Sequence, residues 1–355
     1  MNVKKSRAHQ KAIGMLKDSL RRTSARTRQD FDVAVAVSGG ADSLALAVTA
    51  AKVLGRGNFS TITINYGLQP DSAEIAENAA KQCLELGARE ADVVEVSIQG
   101  SANLEAKART ARYEVFRKLI VQHESQHTHT LVVLLAHTLD DQAETVLLGL
   151  ARGSGTSALF GMSEFTGDYL RPFLQLHRKE TEEICLVNGL SYWLDPTNSC
   201  SKDDDLSRVP TRSVVRNILL PEFEQIFPGV RKNLTRTATI LSADSGYLEK
   251  VALKEYRSCT YTRENMHELD IDRLKLLPDA LRWRVIRLWC KEHADFEQLT
   301  LERVLQIDKR LIQLDGLGGR NIQLPGEFIV RRTEWNTLQI FRQLQSRCPL
   351  APEKH

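Results

Sequence analysis

Four short runs of small and β-branched residues, Val33 to Val37, Thr61 to Ile64, Val93 to Val96 and Leu131 to Leu135, alternate with stretches long enough for helices. No other feature constrains the fold as strongly. Parallel strands need such crossovers and are buried on both faces, so their runs read as nearly continuous apolar segments. The alternation predicts an α/β fold: a doubly wound parallel sheet, Rossmann-like, with helices on both faces and a ligand site at the carboxyl ends of the strands.

Beyond Pro221 the pattern changes to long amphipathic stretches over 229–256 and 276–292, which predict a helical domain. The runs 321–326, 328–332 and 337–341 then predict a small terminal α+β region. The expected organisation is a basic helical extension over 1–30, an α/β domain over 31–222, a helical domain over 223–312 and terminal strands over 313–355. A chain of 355 residues buries enough surface to fold without a metal or disulfide staple. Its six cysteines are scattered with no C-x-x-C pair, which excludes the usual zinc, cluster or redox-disulfide spacing and suits a reducing compartment. No apolar run is long enough to span a bilayer, and no signal-type h-region is present, so the expected location is cytoplasmic. Residues 1–30 carry nine Lys or Arg against two acids. They read as a polyanion-binding segment, a solvated basic helix or a targeting segment.

The hexapeptide Ser38-Gly39-Gly40-Ala41-Asp42-Ser43 follows the first strand and precedes an apolar helix. Two glycines let backbone N–H groups approach an anion, the two serines add hydroxyls, and the helix N-terminus adds positive potential. Asp42 would repel a phosphate unless a cation intervenes, so its natural role is to hold Mg²⁺. No G-K-[ST] or G-x-G-x-x-G is present, which separates this loop from the Walker and dinucleotide fingerprints. The bland alternative is a tight β–α turn with Ser and Asp as caps.

A second cluster surrounds the end of the fourth strand. His137 stands where a doubly wound fold places ligands, and Asp141 and Glu144 are three apart on the next helix, hence on one face. Two carboxylates beside an imidazole suit an amine, whereas helix-capping acids would explain the carboxylates alone. Further on, Arg208, Arg212 and Arg216 recur every four residues, with the last two on one helical face, a pattern suited to phosphate of ATP or RNA or to a surface helix balanced by Asp203 to Asp205. His123-Glu-Ser-Gln-His127 matches the H-E-x-x-H zinc pattern but lies in a polar stretch, and is read as an exposed connection.

The hexapeptide is similar to the S-G-G-x-D-S loop of ATP pyrophosphatases of the adenine nucleotide α-hydrolase type. The stretch Ala136-His137-Thr138-Leu139-Asp140-Asp141-Gln142-Ala143-Glu144-Thr145, with Arg152-Gly153-Ser154-Gly155, resembles motifs of tRNA(Ile)-lysidine synthetases. So do Asn103 to Arg109 with Arg112-Tyr113, Arg171-Pro172-Phe173-Leu174, and Asp195-Pro196-Thr197-Asn198. The likeness is close over 32–221. Thr138 and Tyr66 stand where the family often has His, and Arg212-Ser213 replaces its Arg-Asn pair.

The resemblance implies an ATP-dependent ligase that adenylates the C2 oxygen of the wobble cytidine of tRNA(Ile) and lets L-lysine displace AMP, giving lysidine. It implies that residues 38–43 hold pyrophosphate, that Asp42 holds Mg²⁺, and that Asp141 and Glu144 receive the cationic groups of lysine. It further implies catalytic roles for His137, Arg112 and Arg212, and tRNA contacts at Arg208 and Arg216. A homodimer is left open. Three rivals are a tRNA thiolase, which needs a cysteine or cluster, an amide-forming synthetase, which needs an ammonia source, and a non-catalytic tRNA-binding protein with a dead loop.

Overall fold

The computed structural model describes residues 6–27, 30–98, 104–153, 159–195, 199–207, 209–263, 266–294, 299–314 and 321–342. It divides into two units, Met1–Ser242 and Ala243–His355, each with its own core.

In the first unit the four runs form β1 (Phe31–Val37), β2 (Ser60–Asn65), β3 (Ala91–Glu95) and β4 (Thr130–Leu134). They are all parallel. A hairpin of β5 (Phe165–Thr166) and β6 (Tyr169–Leu170) adds to β4, with β6 parallel to it, so the sheet order is β3-β2-β1-β4-β6-β5. Alternate residues of the central strands β1 and β4 enter different cores on the two faces. Val33, Val35 and Val37 pack with α2 (Ala41–Leu54), whereas Ala34 and Val133 pack with Phe116 and Ile120 of α4 (Leu104–Gln126). The remaining crossover is α3 (Ser72–Leu86), and α5 (Leu139–Ala151) follows β4. The order reverses between β1 and β4, so the chain leaves these adjacent strands toward opposite sides and opens a crevice at their carboxyl ends.

The basic segment folds as α1 (Arg7–Thr27), docked on this unit and not held apart from it. Ala8, Ala12 and Leu16 enter the same core as α2, and Lys11 and Arg22 pair with Glu180 and Glu164. Its positive charge is therefore partly matched within the unit. The histidine pattern at 123–127 also departs from expectation. Helix α4 runs through Gln126, and His123 is buried with Nε2 3.0 Å from Asp32 Oδ2. Among the described residues no group of three or more His, Cys, Asp or Glu could hold a metal ion.

The division between the units falls inside one long helix, Val230–Cys259. The second unit is not helical up to 312. Its strands β7 (Thr260–Arg263) and β8 (Met266–Asp270) join β9 (Asn321–Leu324), β10 (Phe328–Arg332) and β11 (Thr337–Arg342) in one sheet of order β7-β8-β11-β10-β9. Helices Asp279–Ala294 and Leu301–Ile307 supply Trp289, Ile286 and Val304, which pack with Leu269, Val330 and Leu338 on one face of that sheet.

Candidate active site

The phosphate loop is shaped by its own side chains. Ser43 Oγ donates to the Gly40 carbonyl at 2.9 Å and accepts from the Ser38 N–H at 3.1 Å, closing the turn before α2 begins at Ala41. Gly39 has φ +81°, a conformation that side chains rarely adopt, and a Cβ there would lie 3.1 Å from Ile75 Cγ2. Gly40 has no side chain to cap α2, so the first N–H groups of the helix are left for an outside acceptor.

Asp42, on the first turn of α2, faces a partner from far along the chain. The helix α6 (Arg178–Val187) brings Arg178 Nε to 3.2 Å from Asp42 Oδ2, and the Thr181 hydroxyl donates to Asp42 Oδ1. Burial pushes the Asp42 pKa up to about 6; Arg178 opposes this and Asp141 reinforces it. Burial keeps this carboxylate costly to ionise even beside Arg178, which is the condition a dication would relieve. The donor set fits Mg²⁺, which takes one or two carboxylates and completes its shell with phosphate oxygens and water.

Asp141 and Glu144 do lie on one face of α5, and both are buried. Thr138, in place of the family's frequent histidine, caps α5: its N–H and hydroxyl donate to Asp141 Oδ2 at 2.8 and 2.9 Å. The other oxygen, Oδ1, lies 3.1 Å from Arg178, 3.3 Å from Arg216 and 3.5 Å from Arg212. Burial alone would raise its pKa, but Arg178 above all outweighs that and holds it at about 2. Glu144 is 0% exposed and accepts from Arg212 Nε at 2.8 Å and from Arg216 Nε at 2.6 Å. Gln142, between them, clamps the backbone of Met162 with both ends of its amide, at 2.7 and 2.6 Å.

Arg216 was expected to face RNA phosphate, and the structure turns it inward. The shared ligand of Arg212 and Arg216 is Glu144. The cause is the packing of their segment: Val215 and Leu220 bury against Ala143 and Leu147 of α5, which lays both arginines over Glu144. Helix Thr211–Val214 widens into a π-turn at Val215–Leu219 before Leu220–Ile226. Pro221 has no N–H to give and crowds the carbonyl four residues back, and a wider turn accommodates both. Arg208 lies outside the described residues, as do Asn103, Ser154, Gly155 and Pro196 to Asn198.

On the β4 side, burial lowers the His137 pKa to about 4, with Arg171, Arg212 and Arg109 adding to the effect and Asp141 opposing it. The imidazole is neutral at pH 7, and its Nδ1 is buried with no hydrogen-bond partner among the described residues. Arg112, from α4, donates from Nε to the Tyr66 hydroxyl at 2.9 Å at the carboxyl end of β2. The tyrosine that replaces the family's histidine thus fixes a guanidinium. Sequence reasoning missed Arg178 and Thr181. Nothing local marks them, since the contact to Asp42 spans 136 residues.

Residues 8–223 match a family described as a PP-loop domain, and residues 269–334 match one described as the TilS substrate binding domain. The tRNA(Ile)-lysidine synthase of Leifsonia xyli subsp. xyli is 41% identical over 84% of this chain and 87% of its own length. That of Rhodococcus erythropolis is 39% identical over 81% and 82%. Among solved structures, the U34-tRNA thiolase NcsA from Methanococcus maripaludis aligns with 64% of this chain and 80% of its own at 18% identity and TM-score 0.49. With the phosphate loop, the acid–arginine network and these matches together, the chain belongs to the tRNA(Ile)-lysidine synthase family of PP-loop ligases.

Proposed function

We propose that the protein joins L-lysine to C2 of the wobble cytidine of a tRNA(Ile) with anticodon CAU, with ATP as the activating reagent. The cytidine O2 attacks the α-phosphate and pyrophosphate leaves; the lysine ε-amine then attacks C2 and AMP leaves. Activation is required because the cytidine oxygen is a poor leaving group until it is esterified. The observation that carries this reading is Arg178, whose guanidinium touches Asp42 of the phosphate loop and Asp141 of the acid pair at once, so that the two motifs form one site.

In this scheme the backbone N–H groups of residues 39–43 and the α2 terminus hold the leaving pyrophosphate, with Ser38 and Ser43 shaping the loop. Asp42 would hold Mg²⁺, which neutralises phosphate charge when bound. Arg112, fixed by Tyr66, supplies permanent positive charge near the α-phosphate, and neutral His137 supplies one N–H donor. Asp141 and Glu144 receive the ammonium groups of lysine. They already hold guanidiniums, so the pocket is built for cations, and Arg212 stands next to any amine seated there. Arg208 is proposed as a tRNA contact from its place in the sequence.

The test is incubation of the purified protein with ATP, Mg²⁺, total tRNA and each radiolabelled amino acid in turn. Lysine alone should enter RNA, with AMP and pyrophosphate formed in equal amounts. Label from another amino acid, or AMP formation that does not depend on tRNA, would refute the proposal.

A further inference from the structure

Among the described residues of the second unit the helices supply the apolar core on one face of the five-stranded sheet, and the opposite face carries a different chemistry. Leu269, Val330 and Leu338 point into the helical core, so their strand neighbours Glu268, Arg331 and Gln339 point the other way. Cross-strand register sets Tyr261 opposite Glu268 and Arg331 opposite Gln339. The row is tied together by hydrogen bonds. Glu268, 0% exposed, accepts from Gln339 and from the Thr337 hydroxyl, and Gln339 Oε1 in turn accepts from Arg331 Nε and Nη2 at 3.0 and 2.7 Å. A carboxylate is thus sealed beneath the face, where it orients an arginine above it.

Planar groups lie on top of this row. The guanidinium carbon of Arg331 is 5.0 Å from the Phe341 ring centroid, and that of Arg263 is 4.8 Å from the Trp335 ring and 5.8 Å from that of Tyr261. Trp335 stands in the β10–β11 turn, which is closed by the Thr333 N–H to Thr337 carbonyl bond, and it is 62% exposed. An indole left in water beside a stacked arginine, on a face whose acid is buried, presents flat π surfaces and positive charge together. Nucleobases stack on such surfaces regardless of sequence, and guanidiniums pair with the phosphates between them. Sheet faces carrying aromatics bind unpaired RNA in this way.

We infer that the outer layer of this face, centred on the exposed Trp335 and on Arg263, is a stacking platform for unpaired nucleotides of the tRNA substrate. The inference rests on the reading of tRNA as substrate; strands β9 and β10 of the same sheet lie within residues 269–334, which match a substrate binding domain. Neither Trp335 nor Arg263 lies within that match.

The experiment is binding of labelled tRNA(Ile) to the full-length protein and to Trp335→Ala, Trp335→Phe and Arg263→Ala across a salt series, with circular dichroism as the check on folding. Trp335→Ala should weaken binding roughly tenfold, about 1.4 kcal/mol, without altering the salt slope, since a stack and not a charge is lost. Trp335→Phe should recover most of that affinity. Arg263→Ala should weaken binding and reduce the slope by about one unit if it meets a phosphate. The Michaelis constants for ATP and lysine at saturating tRNA should not change. Wild-type affinity in Trp335→Ala overturns the platform while leaving the tRNA reading intact; failure of the wild-type protein to bind tRNA overturns both. A change from dimer to monomer on sedimentation of Trp335→Ala would assign the face to a second copy and overturn the inference.

Discussion

Replacing Asp42 by Asn should stabilise the ligand-free protein while abolishing its activity. The Asp42 pKa lies at about 6, against an ordinary value near 4, so the folded unit holds a proton that the unfolded chain gives up. The sign follows from that difference. Between pH 4 and 6 the native state binds more protons, so stability falls as pH rises through this window and the full cost of the ionised carboxylate is present above pH 6. Two pH units at about 1.36 kcal/mol each make roughly 3 kcal/mol. The side chain is 23% exposed, so solvent screens this only in part. His137 acts in the opposite direction, because its pKa of about 4 makes stability rise with pH toward neutrality, but it is common to both proteins and cancels in the comparison. Scanning calorimetry of the α/β unit at pH 4.5 and 7.5 without nucleotide reads the difference. Asp42→Asn should melt about 6 °C or more above wild type at pH 7.5 and close to it at pH 4.5. The same variant should release no pyrophosphate from ATP. A variant less stable than wild type at pH 7.5, or a gap that does not shrink toward pH 4.5, would refute the reasoning.

Gly39→Ala should destabilise by about 2 kcal/mol, through the left-handed backbone and the Ile75 contact. Gly40→Ala, whose Cβ would meet only Ser38 Oγ at 3.6 Å, should fold almost normally; equal melting temperatures for the two would contradict this. Glu144→Gln leaves two guanidiniums facing a neutral amide and should cost about 3 kcal/mol, the low end for a broken buried pair because Arg212 and Arg216 are 28% and 21% exposed. It should also raise the Michaelis constant for lysine more than that for ATP, and an unchanged lysine constant would make this acid structural only. Tyr66→Phe removes one hydrogen bond to a charged donor, roughly 1.5 kcal/mol, and should slow adenylation about tenfold with lysine use unchanged. A wild-type rate would mean that Arg112 needs no such anchor.

The sequence carried the parallel sheet plainly, because the buried strands β1, β2 and β4 demand the β-branched and Leu runs that mark them, and the edge strand β3 carries a similar run although none of its residues is buried. It carried the phosphate loop because a backbone anion cradle demands glycine at a fixed place. The strands at 260–263 and 266–270 were not legible. Tyr261, Arg263 and Glu268 lie on a polar sheet face, so no apolar alternation marks those strands, and they read as part of the helical domain over 223–312. Spacing placed Arg212 and Arg216 on one face but could not say which way that face turns, since the answer lies in Val215 and Leu220 packing on α5. Arg178 was invisible for a related reason: only the folded crossover brings α6 beside α2.

The arginines that sequence reasoning missed or turned outward also fix how substrates must enter. Five carboxylates, Asp42, Asp140, Asp141, Glu144 and Glu224, are paired with four guanidiniums, Arg178, Arg212, Arg216 and Arg231. Every guanidinium of the network is already matched. An ammonium that enters between Asp141 and Glu144 must displace a guanidinium from its carboxylate, and the displaced charge then calls for a new anionic partner in a partly buried site. A triphosphate in the adjoining loop supplies that partner, and Arg178 links the two places. Lysine and ATP should therefore bind with positive coupling, each raising the other's affinity by the same factor, as linkage requires. A factor of about ten is expected, the equivalent of one partly screened charge pair. Calorimetric titration of lysine, with and without a non-hydrolysable ATP analogue and Mg²⁺, measures it, and the reverse titration must return the same factor. If lysine binds equally well to the nucleotide-free protein, the amine does not displace a guanidinium, and Asp141 and Glu144 are not its site.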